Sequence, residues 1–385
     1  MDVFSRRTRT NVPSAERPSL RMTIIEPSIG EADATEVRRS GKQVCWECTL
    51  CPHHCLLSEG ETGRCRARRA TGTGIEPLNY GKICAQAVDQ IEKKPIYHYR
   101  PGSKLLSIGT FGCNLDCDCC QNASLAMSDA DDVRCSVTSP GDLVEMALQR
   151  QVQGIAFTFN EPIIWYEYIL DVAKLARSSG LFTLMNSNGH IEMEPLKRLA
   201  SVVDAFKIDV KGFDEGFYER HCGGQLGPVL RTCEYLAAKG VHLEVAYLMI
   251  PGLNDSEVKM NEFFHWVRSS LGPQVPVHLY KFMPAHRLPH LPPTDEDAMK
   301  AAKRAGMAVG LDFIYLSGMV GGDEHNTVCP ICRTVVVDRT AESISEKVVC
   351  DKGRLSKFCP SYSSIKDVTI SGKCPKCGKN ILRSG

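Results

Sequence analysis

The sequence predicts an α/β chain built on an incomplete (β/α)6-type barrel, flanked by an N-terminal cysteine-rich metal-binding segment and a C-terminal zinc-ribbon-like module. Three observations predict it. From Lys104 to Ser317, short apolar runs alternate with segments of helical period, and alternating strands and helices imply a parallel sheet. Almost every apolar run ends in polar or turn-forming residues, as expected where strands meet the functional rim of a barrel. The cysteines gather in separate groups, before, within and after this stretch.

Composition narrows the functional classes. The chain has 385 residues, 43% of them hydrophobic, enough for one large domain with smaller ones attached. A net charge of +1 offers no basic field for nucleic acid or a membrane surface. No apolar run reaches 18 residues and no signal-peptide core is visible, so a cytoplasmic location is expected. Nineteen cysteines without a secretory signal point to metal ligation rather than disulfides.

The expected divisions are residues 1–41, 42–95, 96–322 and 323–385. The first is polar, broken by Pro13, Pro18 and Pro27 and basic through Arg6, Arg7, Arg9, Arg17 and Arg21. It reads as a disordered tail; Asp2 and Glu16 weigh against a transit peptide. The second carries Cys48, Cys51, Cys55 and Cys65 in the pattern C-x2-C-x3-C-x9-C. Four soft ligands at this spacing suit zinc, and a second iron–sulfur cluster competes. Cys45 could replace one of the four, His53 and His54 read as solvated, and Cys84 reads as a packed thiol.

In the third division, strands are expected at Leu105–Thr110, Ile155–Phe159, Phe182–Asn186, Ala205–Asp209, Leu243–Leu248, Val277–Phe282 and Phe313–Leu316. Helices are expected at Pro140–Gln151, Ile163–Ser178, Gly227–Ala238, Asn254–Ser269 and Thr294–Ala308. The strand ends bring Asn160-Glu161-Pro162, Asn186-Ser-Asn188-Gly189, Asp209-Val-Lys211, Pro251-Gly252, Phe282-Met-Pro284 and Ser317-Gly318 to one rim. Any one of these segments could be simple turn or cap chemistry. Six such loops around one group of thiols favour a site.

That group is Cys113, Cys117 and Cys120, spaced C-x3-C-x2-C directly after the first strand. Zinc or coincidence would explain the spacing alone. Three thiolates on one loop can also hold three irons of a [4Fe-4S] cluster, leaving the fourth iron open. Cys119, inside the loop, reads as a small apolar packing residue. In the last division, Cys329-Pro-Ile-Cys332 and Cys374-Pro-Lys-Cys377 form two knuckles of a zinc ribbon. The 41 residues between them exceed the usual gap and contain Cys350 and Cys359.

These motifs resemble the radical S-adenosylmethionine (SAM) enzymes. In detail they resemble the radical SAM member of the AmmeMemoRadiSam system, a relative of pyruvate formate-lyase activating enzymes. The carriers are Cys51-Pro-His-His-Cys55 with Gly63-Arg-Cys65, Ile91-Glu-Lys-Lys-Pro-Ile-Tyr-His98, Gly112-Cys113-Asn114 through Cys120-Gln-Asn122, Phe159-Asn-Glu161-Pro162, Ile208-Asp-Val-Lys211, Ile250-Pro-Gly-Leu-Asn-Asp255 and the paired knuckles. The resemblance implies that SAM occupies the open iron and is cleaved by one electron to a 5′-deoxyadenosyl radical. Asn160-Glu161-Pro162 stands where such enzymes often carry Gly-Gly-Glu; both glycines are missing, and Glu161 is carried over as the contact to the methionine amino group. Asn188 resembles a ribose contact, Asp209 and Lys211 a pair near the methionine moiety, and His278 a cofactor-side histidine. Ile250 and Pro251 are expected beside the adenine.

Three functions follow. The first is a radical enzyme abstracting hydrogen from an unidentified substrate. It would be served by an electron donor such as ferredoxin or flavodoxin, with Memo-type and AMMECR-type proteins as implied partners. The second is a glycyl-radical enzyme activase. The third is a non-catalytic multi-zinc binding or scaffold protein.

Overall fold

Seven parallel strands follow one another in chain order across one sheet, and an eighth closes one edge in the opposite direction. The computed structural model describes residues 34–38, 44–319, 323–343, 346–350, 353–357, 361–367, 369 and 371–382. The strands are β1 (Ala85–Gln90), β2 (Lys104–Gly109), β3 (Gly154–Phe157), β4 (Phe182–Ser187), β5 (Ala205–Val210), β6 (His242–Met249), β7 (Val277–Lys281) and β8 (Ile314–Ser317). Each of β2 to β8 pairs with its successor in parallel, and β1 runs antiparallel to β2. Among the described residues the sheet ends at β1 and β8 without joining, as in an incomplete barrel.

The strands form because their apolar runs are buried on both faces, as parallel sheets with helical crossovers require. All four residues of β3 are buried, as are seven of the eight in β6. The crossovers carry α1 (Pro140–Gln149), α2 (Tyr166–Ser178), α3 (Met193–Val202), α4 (Leu226–Ala238), α5 (Glu257–Trp266) and α6 (Glu296–Val309). Ser139, Ser256 and Asp295 cap α1, α5 and α6 by accepting a backbone N–H from three residues ahead. The helix expected at Ile163–Ser178 is divided. A 3-10 turn, Pro162–Trp165, precedes α2, because Glu161 caps that turn rather than the helix. Helix α3 and edge strand β1 were not expected. Pro195 masks α3, and the mixed pattern of β1 reflects an edge with an exposed side.

The flanking parts are small sheets. Val44–Cys48 pairs with Ala34–Arg38 and Leu56–Ser58. Apart from Ala34–Arg38, the expected basic tail lies outside the described residues. At the other end Val335–Ser343 pairs with Thr327–Val328 and Ser361–Asp367. Cys350 ends the strand Glu346–Cys350, and Cys359 lies outside the described residues.

One expectation about thiols is corrected. Cys84 is not a lone packed thiol but is disulfide-bonded to Cys135, 51 residues away. Antiparallel pairing of Ile83 with Ser136 brings the two cysteines to adjacent backbone positions.

Below the rim, the barrel is plugged by polar side chains that tie it to the C-terminal module. The Glu244 carboxylate accepts the Tyr97 and His98 backbone N–H groups and is met by His242 at 2.9 Å and His278 at 2.6 Å. His98 Nε2 lies 2.5 Å from the Tyr315 hydroxyl, and its Nδ1 meets the Ile381 carbonyl at 2.8 Å. Arg339 is buried, stacks on Tyr97 and donates to the Tyr97 carbonyl and to Thr327. Its guanidinium also faces Glu92 at 3.4 Å.

Burial lowers His98 and His325 from 6.5 to about 4, so both are neutral in the folded protein. The unfolded chain then binds more protons between pH 6.5 and 4, and stability must fall as pH drops through that window. The expected loss is about 3 kcal/mol per histidine at the acid end. Urea unfolding at pH 7.5, 6, 5 and 4 checks this; a flat profile would refute it.

Candidate cluster and cofactor site

The loop after β2 carries the three thiols, and its shape is set by backbone and amide contacts. Gly112 has φ +81°, and a Cβ there would meet the Cys65 carbonyl oxygen at 2.3 Å, so glycine is required twice over. Asn160 Oδ1 accepts the Thr110 N–H, and its Nδ2 donates to the Phe111 and Gly112 carbonyls. Fully buried Asn114 donates to the His190 carbonyl and accepts from Asn188 Nδ2 at 2.8 Å. On the loop's outer side Arg287 meets Asp116 at 3.1 Å and Asp118 at 3.2 Å, and His221 meets Asp118. Phe159 holds φ +75°, where one of the expected glycines would sit at ease; such backbone costs about 1 kcal/mol or more and concentrates at functional sites.

Cys113, Cys117 and Cys120 face a cavity of about 240 Å3, lined also by Glu161, Asn188, Asp209 and Lys211. Four residues carried over for SAM therefore converge beside the thiol triad. Glu161 is buried and accepts three donors: the Ile163 N–H at 2.9 Å, the Ser187 hydroxyl at 2.7 Å and the Asn188 N–H at 2.7 Å. Burial still raises its carboxyl to about 7, so a cation in the cavity would favour its charged form. Asp209 is held at about 2 because Lys207 and Lys211 flank it and outweigh its burial.

The thiols fit a cluster. Burial, with the Glu161 and Cys117 charges nearby, pushes Cys113 well above its ordinary value, and burial lifts Cys120 to about 12. Thiolates packed this way need positive charge among them, which iron supplies. Asn188 Nδ2 lies 3.9 Å from Cys113 Sγ, and the Leu115 N–H points at the same sulfur from 3.4 Å. Cys119 is buried but lines the same cavity beside Cys120.

Three expected cofactor contacts are corrected. His278 faces the barrel interior, but it precedes cavity-lining Tyr280 by two residues on β7. It therefore lies about 7 Å deeper, at about 3.3 Å per strand residue. It is fully buried, bonded to Glu244 and stacked on Tyr315. Ile250 and Pro251 do not line the cavity either. Ile250 is packed in the core, and its N–H binds Asn254 Oδ1. Leu248 and Ala246, on the inward face of β6, line the cavity instead.

Other lining residues were assigned no role from sequence: Lys93, Lys94, Lys207 and Tyr280. A signal existed for Lys207, which precedes Asp209 by two residues on one strand and so shares its face. Lys93 and Lys94 belong to the Glu-Lys-Lys-Pro motif. Lys94 pairs with buried Asp89 at 2.7 Å while its backbone carbonyl accepts from Asn186.

The outer cysteine groups differ in geometry. The ligand atoms of Cys329, Cys332, Cys374 and Cys377 all lie within 4.8 Å of one another. That suits one tetrahedral ion such as zinc, whose bonds of about 2.3 Å put the sulfurs roughly 3.8 Å apart. Cys48, Cys51, Cys55 and Cys65 line a second, smaller cavity. Cys45 lies outside it, 3.6 Å from the Ser58 hydroxyl. His54 is at the surface between Glu47 and Glu192, whereas His53 is half-buried and bonded to the Asn114 carbonyl at 2.6 Å.

Residues 107–264, which carry the thiol loop and most of the cavity, match the Radical SAM superfamily. Those residues are a Radical SAM domain. An uncharacterized protein of Methanocaldococcus jannaschii is 36% identical over 292 residues, 76% of this chain and 87% of that one. The pyruvate formate-lyase 1-activating enzyme of Escherichia coli K12 is 24% identical over 106 residues, 27% of this chain and 43% of the activase. A radical SAM methyltransferase structure from Sphaerobacter thermophilus aligns with TM-score 0.46 and 14% identity, covering 78% of this chain and 81% of that one. Radical SAM proteins are enzymes that use SAM and a [4Fe-4S] cluster, so the scaffold alternative is set aside. Among the described residues, no helix is long and apolar enough to cross a membrane.

Removing the Glu161 charge should weaken SAM binding about tenfold or more, since hydrogen bonds to charged groups contribute about 1.5–3 kcal/mol. Anaerobic calorimetry of Glu161→Gln reads this directly. His278→Asn should instead lower stability by about 1–3 kcal/mol, because Glu244 loses a buried partner, with little change in SAM affinity. Equal loss of SAM affinity in both variants would contradict the depth assigned to His278.

Proposed function

We propose that the chain binds SAM beside a [4Fe-4S] cluster on Cys113, Cys117 and Cys120 and abstracts hydrogen from a substrate held in the same cavity. The observation that carries this reading is the convergence of the thiol triad with Glu161, Asn188, Asp209 and Lys211 on one cavity. Bound there, cluster and SAM together supply a one-electron cleavage that yields a 5′-deoxyadenosyl radical. The residues bind and orient. Glu161 would receive the methionine ammonium, and Lys211, paired with Asp209, would offer a compact cation to the carboxylate. Asn188 spans from the cluster loop to the cavity wall, where a ribose hydroxyl would find an amide. Leu248, Ala246 and Phe159 supply apolar wall to the cavity.

A second reading, activation of a glycyl-radical enzyme, is supported by the similarity to the pyruvate formate-lyase activases. This chain spans less than half the length of those E. coli relatives. The Glu92-Lys-Lys-Pro95 motif joined to Cys120-Gln-Asn122 favours the AmmeMemoRadiSam system instead. On this reading the partners are Memo-type and AMMECR-type proteins in the cytoplasm, with a ferredoxin or flavodoxin as electron donor and zinc in the C-terminal knuckles.

Detection of 5′-deoxyadenosine after anaerobic reduction tests the reading. Cys113→Ala should abolish it, whereas Cys329→Ala should retain turnover with a lower melting temperature. Equal cleavage by the two variants would overturn the assignment. A glycyl radical seen by electron paramagnetic resonance in a co-encoded partner would instead establish the activase.

A further inference from the structure

The cavity wall has two depths. Asn188 and Asp209, which the proposed function gives to SAM, stand at the ends of β4 and β5. Asn186 and Lys207 also line the cavity, precede them by two residues on the same strands and are register partners. At about 3.3 Å per strand residue, they lie roughly 7 Å deeper. Lys207 is 5% exposed, and its ammonium lies 5.2 Å from the centre of the Tyr280 ring. Lys93 and Lys94 join the wall from the turn that follows β1. The Lys94 carbonyl accepts from Asn186 Nδ2 at 2.7 Å, which seats that turn against the deeper tier.

Charge separates the two tiers. The carboxylates lining the cavity are Glu161 and Asp209, both in the upper tier, whereas the deeper tier carries Lys93, Lys94 and Lys207. Lys94 is matched from behind the wall by Asp89 at 2.7 Å. Lys207 reaches up to Asp209, but that carboxylate also pairs with Lys211 at 3.0 Å. Two ammonium groups thus share one carboxylate. An ammonium taken out of water is costly unless its charge is matched, so a second anion beside Lys207 would be stabilised there.

We propose that the substrate carries a carboxylate or phosphate group, held in the deeper tier by Lys207 and Lys93 with Asn186 and Tyr280 beside it. This rests on the SAM reading of the upper tier, because SAM bound there leaves the deeper tier to the substrate. Such a group is small against a cavity of about 240 Å3. Anchored by it, the rest of the substrate extends upward to the rim, where the thiol triad lies.

The test is calorimetric titration of the full chain, reconstituted anaerobically, unreduced and with SAM present. Inorganic phosphate and acetate are titrated separately. At least one of them should bind saturably at one site per chain, and the tighter of the two names the group. Lys207→Met and Lys93→Met should each weaken that binding about tenfold or more, as expected for loss of a hydrogen bond between charged groups. Lys93→Arg should keep most of the affinity. Lys93 is half-buried, so Lys93→Met still decides the matter if Lys207→Met does not fold. No saturable binding of either anion, or variants that bind as tightly as the wild type, would overturn the proposal. SAM affinity and 5′-deoxyadenosine are read separately. Their loss would overturn the proposed function, whereas loss of the anion site alone overturns this inference.

Discussion

Three thiols can share one cluster only if the backbone between them is held in a single shape, and here buried side-chain amides do the holding. Asn160 clasps the Thr110–Gly112 backbone, and Asn114 joins the loop to Asn188 and His190. Each such bond contributes about 1 kcal/mol net, but leaving one of these buried groups unpaired would cost more. The amides therefore act as a linked set. The same set fixes Glu161, whose carboxylate is shared by the Asn188 N–H and the Ser187 hydroxyl. The thiol loop and the Glu161 carboxylate are positioned by one network.

The barrel interior separates into two layers with different tasks. Inward side chains of β5, β6 and β7 alternate by two residues, so one step along a strand moves a side chain from the cavity to the plug beneath it. Lys207, Asp209, Ala246, Leu248 and Tyr280 form the cavity layer. Glu244, His278 and Tyr315 form the plug, joined to Tyr97 and through it to Arg339 of the C-terminal module. A charged cavity floor is thus backed by the Glu244–His278 pair and the Tyr315 ring stacked on it, with His278 Nδ1 left without a hydrogen-bond partner among the described residues. The C-terminal module packs Cys329, Cys374 and Ile381 against Tyr97, Phe313 and Tyr315, which couples its cysteine knuckles to the barrel's stability.

Much of this was legible in the chain. The alternation of apolar runs and helical segments placed all seven parallel strands, because buried strands need unbroken apolar stretches. The thiol triad, Glu161, Asn188, Asp209 and Lys211 were legible because strand ends with polar residues mark a rim. What failed did so for identifiable reasons. His278 has the right face but the wrong depth, and depth along a strand depends on register with its neighbours. Ile250 follows the end of β6, where the chain has already turned into the core. Cys84 and Cys135 are 51 residues apart and meet only through strand pairing.

Local sequence was enough to specify the cluster loop, the knuckles and the succession of strands and helices, since each depends on residues close together in the chain. Only the folded chain decided which inward side chains reach the cavity, that the Cys329, Cys332, Cys374 and Cys377 thiols gather within 4.8 Å of one another, and that Cys45 is left outside the N-terminal cavity. Those outcomes depend on distances between segments tens to hundreds of residues apart, and such distances are set by sheet register and packing rather than by spacing.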